Sequence, residues 1–181
     1  MKKIINKIIK TNHSPIKTKV LTLSLVVLLI DFFTKELVMN NLKLEHDYQV
    51  IKNFFYLFYT KNTGAAFSIL TNHVYLLIIV ALIVLVLLNN YISKLKKASK
   101  LEIISLGLII GGMLGNLLDR IIYKSVIDFI SINIFNYRFP VFNLADVSIV
   151  VGAILLIISL FKEDSLHKKT KWWFFLLLIN V

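Results

Sequence analysis

Four apolar runs of about 20 residues constrain this chain more than any other feature, because each matches the hydrocarbon thickness of a bilayer. They cover residues 20–39, 74–91, 103–123 and 142–161. Backbone in lipid must satisfy its own hydrogen bonds, so each run is read as a helix. The composition agrees, with 57% of the 181 residues hydrophobic and 17% charged. Soluble domains average roughly 45–50% apolar and 25% charged. The expected fold class is an α-helical polytopic membrane protein with four transmembrane helices. The net charge of +11 is carried mainly by lysines at the ends of the runs. That placement fits topology signals and lipid-headgroup contacts, not a nucleic-acid surface. The chain has no cysteine, which removes disulfides, thiolate metal sites and a cysteine nucleophile.

Orientation follows from the basic residues beside each run. Six lysines precede the first run, at positions 2, 3, 7, 10, 17 and 19. Four lie at 94–100 and four more at 162–171. The other two connections carry three (Lys43, Lys52, Lys61) and two (Lys124, Arg138). Both termini and the middle loop are therefore expected in the cytoplasm, with segments 40–73 and 124–141 on the outer face. Residues 1–19 form a basic interfacial segment, with Ile4, Ile5, Ile8 and Ile9 on one face. The first run lacks a small-residue cleavage site and is taken as a retained helix. In the tail at 163–181 the apolar stretch Trp172–Val181, with Trp172 and Trp173, is only ten residues long, too short to span, and is expected at the interface. Residues 1–181 are read as a single domain with its core at about 20–162. Segment 44–61 is rich in aromatic and β-branched residues, which predicts strands in a small sheet on the outer surface.

Ionisable residues inside a span are costly and by default mark packing or functional sites. Asp31 and Lys35 are four apart and can pair on one helix face, as a structural lock or as chemistry. Asn62-Thr63-Gly64-Ala65-Ala66-Phe67-Ser68 reads either as a tight turn or as a place where another backbone comes close. At helical spacing, residues 107–120 split into two stripes. One is Gly107, Gly111, Gly115 and Asp119; the other is Gly112, Asn116 and Arg120. The glycines fit helix packing. The polar residues that continue the stripes must face the protein interior or a wet cavity. Asp128 lies in Val126-Ile127-Asp128-Phe129, and Asp146 follows Asn143 at the start of the fourth run. Asn143 with Asp146 also reads as a helix cap with an acidic third position.

Both ends of the 128–146 connection return to one membrane face, so the two carboxylates can meet. A close pair shares a proton, because two like charges cannot both ionise cheaply. The ionised member then activates water and the protonated one polarises a carbonyl. Asp146, at a helix start, suits the charged role, and Asp128, among apolar neighbours, the neutral one. Asn116 and Arg120 are candidates to hold a substrate backbone or an oxyanion. The chain lacks HExxH and GxSxG patterns. A pairing of Ser68 with Lys35 and a proton-coupled transporter are weaker alternatives, the latter because no internal repeat is present.

With these elements in this order, the chain resembles signal peptidase II, the prolipoprotein signal peptidase family. The resemblance covers about residues 20–162 and also includes Phe139-Pro140-Val141-Phe142-Asn143-Leu144-Ala145-Asp146. It implies four transmembrane helices, a small extracytoplasmic β-cradle and an aspartic mechanism without metal or other cofactor. The catalytic pair maps to Asp128 and Asp146, with Asp119 as the chief rival to Asp128 and otherwise an orienting residue. Substrate-contacting, oxyanion and scaffolding roles map to Asn62, Gly64, Asn116, Arg120, Asn143 and Ala145, with Asp31 and Lys35 in support. The implied partners are lipid-modified prolipoprotein signal peptides and membrane lipids. The expected enzyme is a monomer in the bacterial cytoplasmic membrane, with its site near the outer face. Met113 is bulkier than the small residue usual in the family.

Overall fold

The computed structural model describes residues 15–64, 70–135 and 137–164. The expected interfacial helix at 1–14, the loop residues 65–68 and the Trp172–Trp173 tail lie outside the described residues. The described residues form four helices: α1 (Pro15–Asn41), α2 (Val74–Lys94), α3 (Lys100–Tyr123) and α4 (Leu144–Asp164). Four strands, β1 (Asp47–Ile51), β2 (Phe55–Asn62), β3 (Val126–Ile134) and β4 (Tyr137–Arg138), form one antiparallel sheet in that order.

Among the described residues, three helices are long and apolar enough to cross a membrane: α2, α3 and residues Leu144–Lys162 of α4. α1 is 27 residues long, but Asp31, Lys35 and Glu36 interrupt its apolar stretch. Its burial is one-sided. Asp31 and Lys35 are buried, while Leu25, Val26, Leu29, Ile30, Phe33 and Leu37 are exposed. α2 is exposed along most of its length, and α3 is the buried centre of the bundle.

The two stripes of α3 face two different partners. Gly107 and Gly111 lie against α1, where an added Cβ at Gly111 would stand 2.6 Å from Val27 Cβ and 2.7 Å from the Ser24 carbonyl oxygen. Gly115 leaves the space that the Asp31 carboxylate fills. Gly112 faces α4, with its missing Cβ 2.5 Å from the Ala145 carbonyl oxygen. The absent side chains let three helices approach closely enough for short polar side chains to meet. α3 starts with Ser99 Oγ accepting from the Glu102 amide at 3.0 Å, which satisfies an otherwise orphaned donor.

Two apolar clusters mark the ends of the bundle. Val20, Leu88, Ile92, Leu106, Ile109 and Leu156 pack together at one end. Val38, Tyr59, Ile127 and Phe129 pack at the other, where the sheet meets the helices. Segment 44–61 supplies β1 and β2, as its aromatic texture predicts. The sheet extends further than that reading: Val126–Ile134 is a third strand, paired with β2 through Thr60↔Asp128 and Asn62↔Val126. Arg138 ties the edges together, forming an ion pair with Asp47 on β1 and donating to Ser131 Oγ on β3 at 2.7 Å.

Candidate active site

The site forms where α3 ends, α4 begins and β3 crosses between them. Phe142 pairs with β3 just before α4: the Ile130 amide donates to the Phe142 carbonyl at 2.8 Å, and the Phe142 amide donates back at 3.0 Å. This backbone pairing carries Asn143 alongside Asp128. Asn143 Oδ1 accepts from the Asp146 amide at 2.9 Å, and Asp146 Oδ2 accepts from the Asn143 amide at 3.1 Å. The exchange is a reciprocal helix cap, and it fixes the Asp146 side chain at the N-terminus of α4.

Asn143 Nδ2 donates to Asp128 Oδ1 at 2.8 Å, to Asn116 Oδ1 at 3.1 Å and to the Ile127 carbonyl at 3.2 Å. One residue therefore contacts both acids. Asp128 Oδ2 accepts from Asn62 Nδ2 at 3.0 Å, and Asn62 Oδ1 in turn accepts from the Gly64 amide at 2.9 Å. Asp146 Oδ1 accepts from Asn116 Nδ2 at 2.8 Å. Burial and the nearby Asp146 charge raise the Asp128 carboxyl from its ordinary 3.8 to about 7, against the opposing pull of the Asn62 and Asn143 donors. Arg120 Nη2 donates to the Gly64 carbonyl at 3.1 Å and fastens the end of β2 to α3.

Beneath the pair lies a buried ion cluster. Lys35 Nζ stands 2.7 Å from Asp31 Oδ2 and 2.8 Å from Asp119 Oδ2, and donates to Asn116 Oδ1 at 3.1 Å. Lys35 is 2% exposed and Asp31 1%, so neither charge reaches solvent. Among the described residues, no three His, Cys, Asp or Glu side chains gather to hold a metal ion.

The structure brings all eleven singled-out residues into one connected network, but not all at its surface. Asn143 and Ala145 are wholly buried, and Ala145 meets only the scaffold: its amide donates to Asp31 Oδ1 at 2.9 Å and its carbonyl packs on Gly112. Asn116 spends its oxygen on Lys35 and Asn143 and one amide hydrogen on Asp146, so its contact with the carboxylate pair is with Asp146. Asp119 accepts from the Ile127 amide at 3.0 Å and pairs with Lys35. The backbone amides of Ile127 and Ala145 went unnoticed in sequence. Their only signal was position, immediately before each acid of the pair.

Comparison with known proteins places this arrangement. Residues 23–162 match the family model for signal peptidase (SPase) II. A lipoprotein signal peptidase from Anoxybacillus flavithermus is 39% identical over 146 residues, which cover 81% of this chain and 87% of the relative. Among solved structures, a bacterial membrane enzyme determined by the in meso method at 2.3 Å superposes with a TM-score of 0.75 at 34% identity, covering 84% of this chain and 92% of that one. A second bacterial membrane enzyme, determined likewise at 1.9 Å, gives 0.70 at 32% identity, with coverages of 83% and 94%. These likenesses disfavour the transporter reading: the chain belongs to the signal peptidase II family of membrane proteases.

Proposed function

We propose that Asp128 and Asp146 are the catalytic pair with which this protease removes signal peptides from prolipoproteins. The observation that carries the assignment is the double contact of Asn143, which donates to one carboxyl through its side chain and to the other through its backbone. Two acids from different elements thus share one small polar space. The three asparagines Asn62, Asn116 and Asn143 hold them with neutral donors, so neither acid is consumed in an ion pair. Asp119, by contrast, is tied to Lys35 and a backbone amide.

The roles follow from the surroundings. Asp128, raised to about 7, keeps its proton in a substantial share of molecules at neutral pH, and that form donates it to the scissile carbonyl oxygen. Asp146 sits at a helix N-terminus, where negative charge is favoured, and takes a proton from the attacking water. The water oxygen bonds to the carbonyl carbon, and the tetrahedral species then loses its amine. That amine receives a proton from the pair, leaving a carboxylate on the signal peptide and a free amino group on the mature lipoprotein. Arg120 donates from Nη2 to the Gly64 carbonyl and from Nη1 to the Asn116 carbonyl. Its remaining donors serve the substrate backbone or the developing oxyanion.

The substrate is a precursor whose cysteine already bears diacylglycerol, cut immediately before that cysteine. A four-span topology suits it, with α1 as the additional span, because Asp31 and Lys35 in mid-helix are buried and the apolar side chains around them face outward. Both termini then lie in the cytoplasm and the sheet on the outer face of the bacterial cytoplasmic membrane, and a monomer carries the whole site.

The test is cleavage of a diacylglyceryl-modified precursor by the purified protein. Asp128→Asn and Asp146→Asn are each expected to slow cleavage at least ~100-fold, the usual lower bound for losing an acid or base. Cleavage by Asp128→Asn at the wild-type rate, together with loss in Asp119→Asn, would transfer the role to Asp119.

A further inference from the structure

The ion cluster below the pair grips the backbone at two matched points. Asp31 Oδ1 accepts from the Ala145 amide, in the peptide unit that precedes Asp146 by one residue. Asp119 Oδ2 accepts from the Ile127 amide, one residue before Asp128. Lys35 joins the two arms, because its ammonium lies within ion-pair distance of both carboxylates. A third arm runs from Lys35 through Asn116 Oδ1, whose amide nitrogen donates to Asp146 itself. Gly115 leaves room for the first arm, since a Cβ there would collide with the Asp31 carboxylate.

A lock that merely neutralised an intramembrane charge would need one acid for one lysine. This cluster has two, and each spends an oxygen on the amide just upstream of a proposed catalytic residue. We infer that Lys35 is a positioning residue: with Asp31 and Asp119 as its arms, it sets the separation and register of Asp128 and Asp146. The inference rests on Asp128 and Asp146 being the catalytic pair. It attributes to α1, which contributes no acid to that pair, control over how closely β3 and α4 present theirs. Rate in such a site depends steeply on placement, with ~100-fold lost for about 1 Å of displacement.

The decisive variant is the full-length triple substitution Asp31→Asn, Lys35→Met, Asp119→Asn. It keeps a carbonyl acceptor for each backbone amide and buries no charge, but cuts the link between the arms. Cleavage of the diacylglyceryl-modified precursor is measured per folded molecule, with Asp128→Asn and Asp146→Asn run beside it. The expected result is a kcat lower by about 100-fold with KM within about threefold of wild type. Asp119→Asn alone, which leaves a balanced Asp31–Lys35 pair and so folds even if the triple variant does not, is expected to lose about tenfold in kcat, again with KM held. A kcat per folded molecule within threefold of wild type in either variant, or a loss confined to KM, overturns the inference. If Asp128→Asn or Asp146→Asn itself cleaves normally, the assignment of the pair fails instead, and the two failures are told apart.

Discussion

Asp128 is 2% exposed and faces a second carboxylate, and the proposed mechanism asks it to exchange a proton there. Its raised value of about 7 makes it an acid near physiological pH. As pH climbs through 7 the proton is lost, so kcat is expected to fall by about tenfold per unit above that point, read from a pH–rate profile of the whole pair. The same shift has a consequence for stability. An unfolded aspartate releases its proton near 3.8 and the folded one near 7, so between those values the folded state binds more protons than the unfolded state. Stability conferred by this group therefore falls as pH rises across that window, and stays low above it. Asp128→Asn removes the buried charge. It is expected to be inactive but more heat-stable than wild type at pH 8, by on the order of a few kcal/mol at most, with the difference vanishing near pH 4. Thermal unfolding of detergent-solubilised protein at the two pH values checks this.

Among the elements, α3 organises the site because its two stripes were already two interfaces. The spacing of Gly107, Gly111, Gly115 and Asp119 was legible as a packing ridge that ends in an acid. The polar end of that ridge follows from the glycine end: the helix approach that puts Gly111 on Ser24 also puts Asp119 on Lys35. Strand β3 was not legible. Ile130-Ser131-Ile132-Asn133-Ile134 does alternate with the strand period, but Val126-Ile127-Asp128-Phe129 before it does not, and five alternating residues are too short a run to set a strand apart from a loop after the third span. What makes it a strand is long-range pairing with β2 and Phe142, which sequence proximity does not reveal. Asn143 reads as a cap in sequence, and is one, but its side-chain amide also faces Asp128 across the sheet-to-helix junction. The two duties separate by substitution. Asn143→Ser keeps an oxygen for the Asp146 amide and loses the donors to Asp128 and Asn116, whereas Asn143→Ala loses both. Serine is thus expected to retain about 1 kcal/mol more stability than alanine, while both slow cleavage by about tenfold or more. Chemical unfolding and initial rates on the same preparations distinguish them.

At the scale of the molecule, the question is whether α1 crosses the bilayer beside the three helices whose composition already qualifies them. Its packing argues that it does. Val20, near its start, sits in the same apolar cluster as Leu88 and Ile92 of α2, and Lys17 Nζ lies 3.5 Å from Ser93 Oγ at the end of α2. Val38, near its end, packs with Tyr59, Ile127 and Phe129 under the sheet. From Val20 to Val38 is roughly 27 Å at the helical rise, close to the hydrocarbon thickness. α1 therefore runs from one end of the bundle to the other, and its mid-helix charges Asp31 and Lys35 are hidden against α3 where lipid would penalise them. The absence of cysteine makes the chain ready for single-cysteine mapping. Lys19→Cys and Lys96→Cys are expected to react with a membrane-impermeant thiol reagent only from the cytoplasmic side. Lys52→Cys, beside the β1–β2 turn, is expected to react only from the outer side. Reaction of Lys19→Cys and Lys52→Cys from the same side would mean that α1 does not cross. The cluster of Lys35, Asp31 and Asp119 would then need a protein or water environment other than the bilayer interior to explain why its charges are buried.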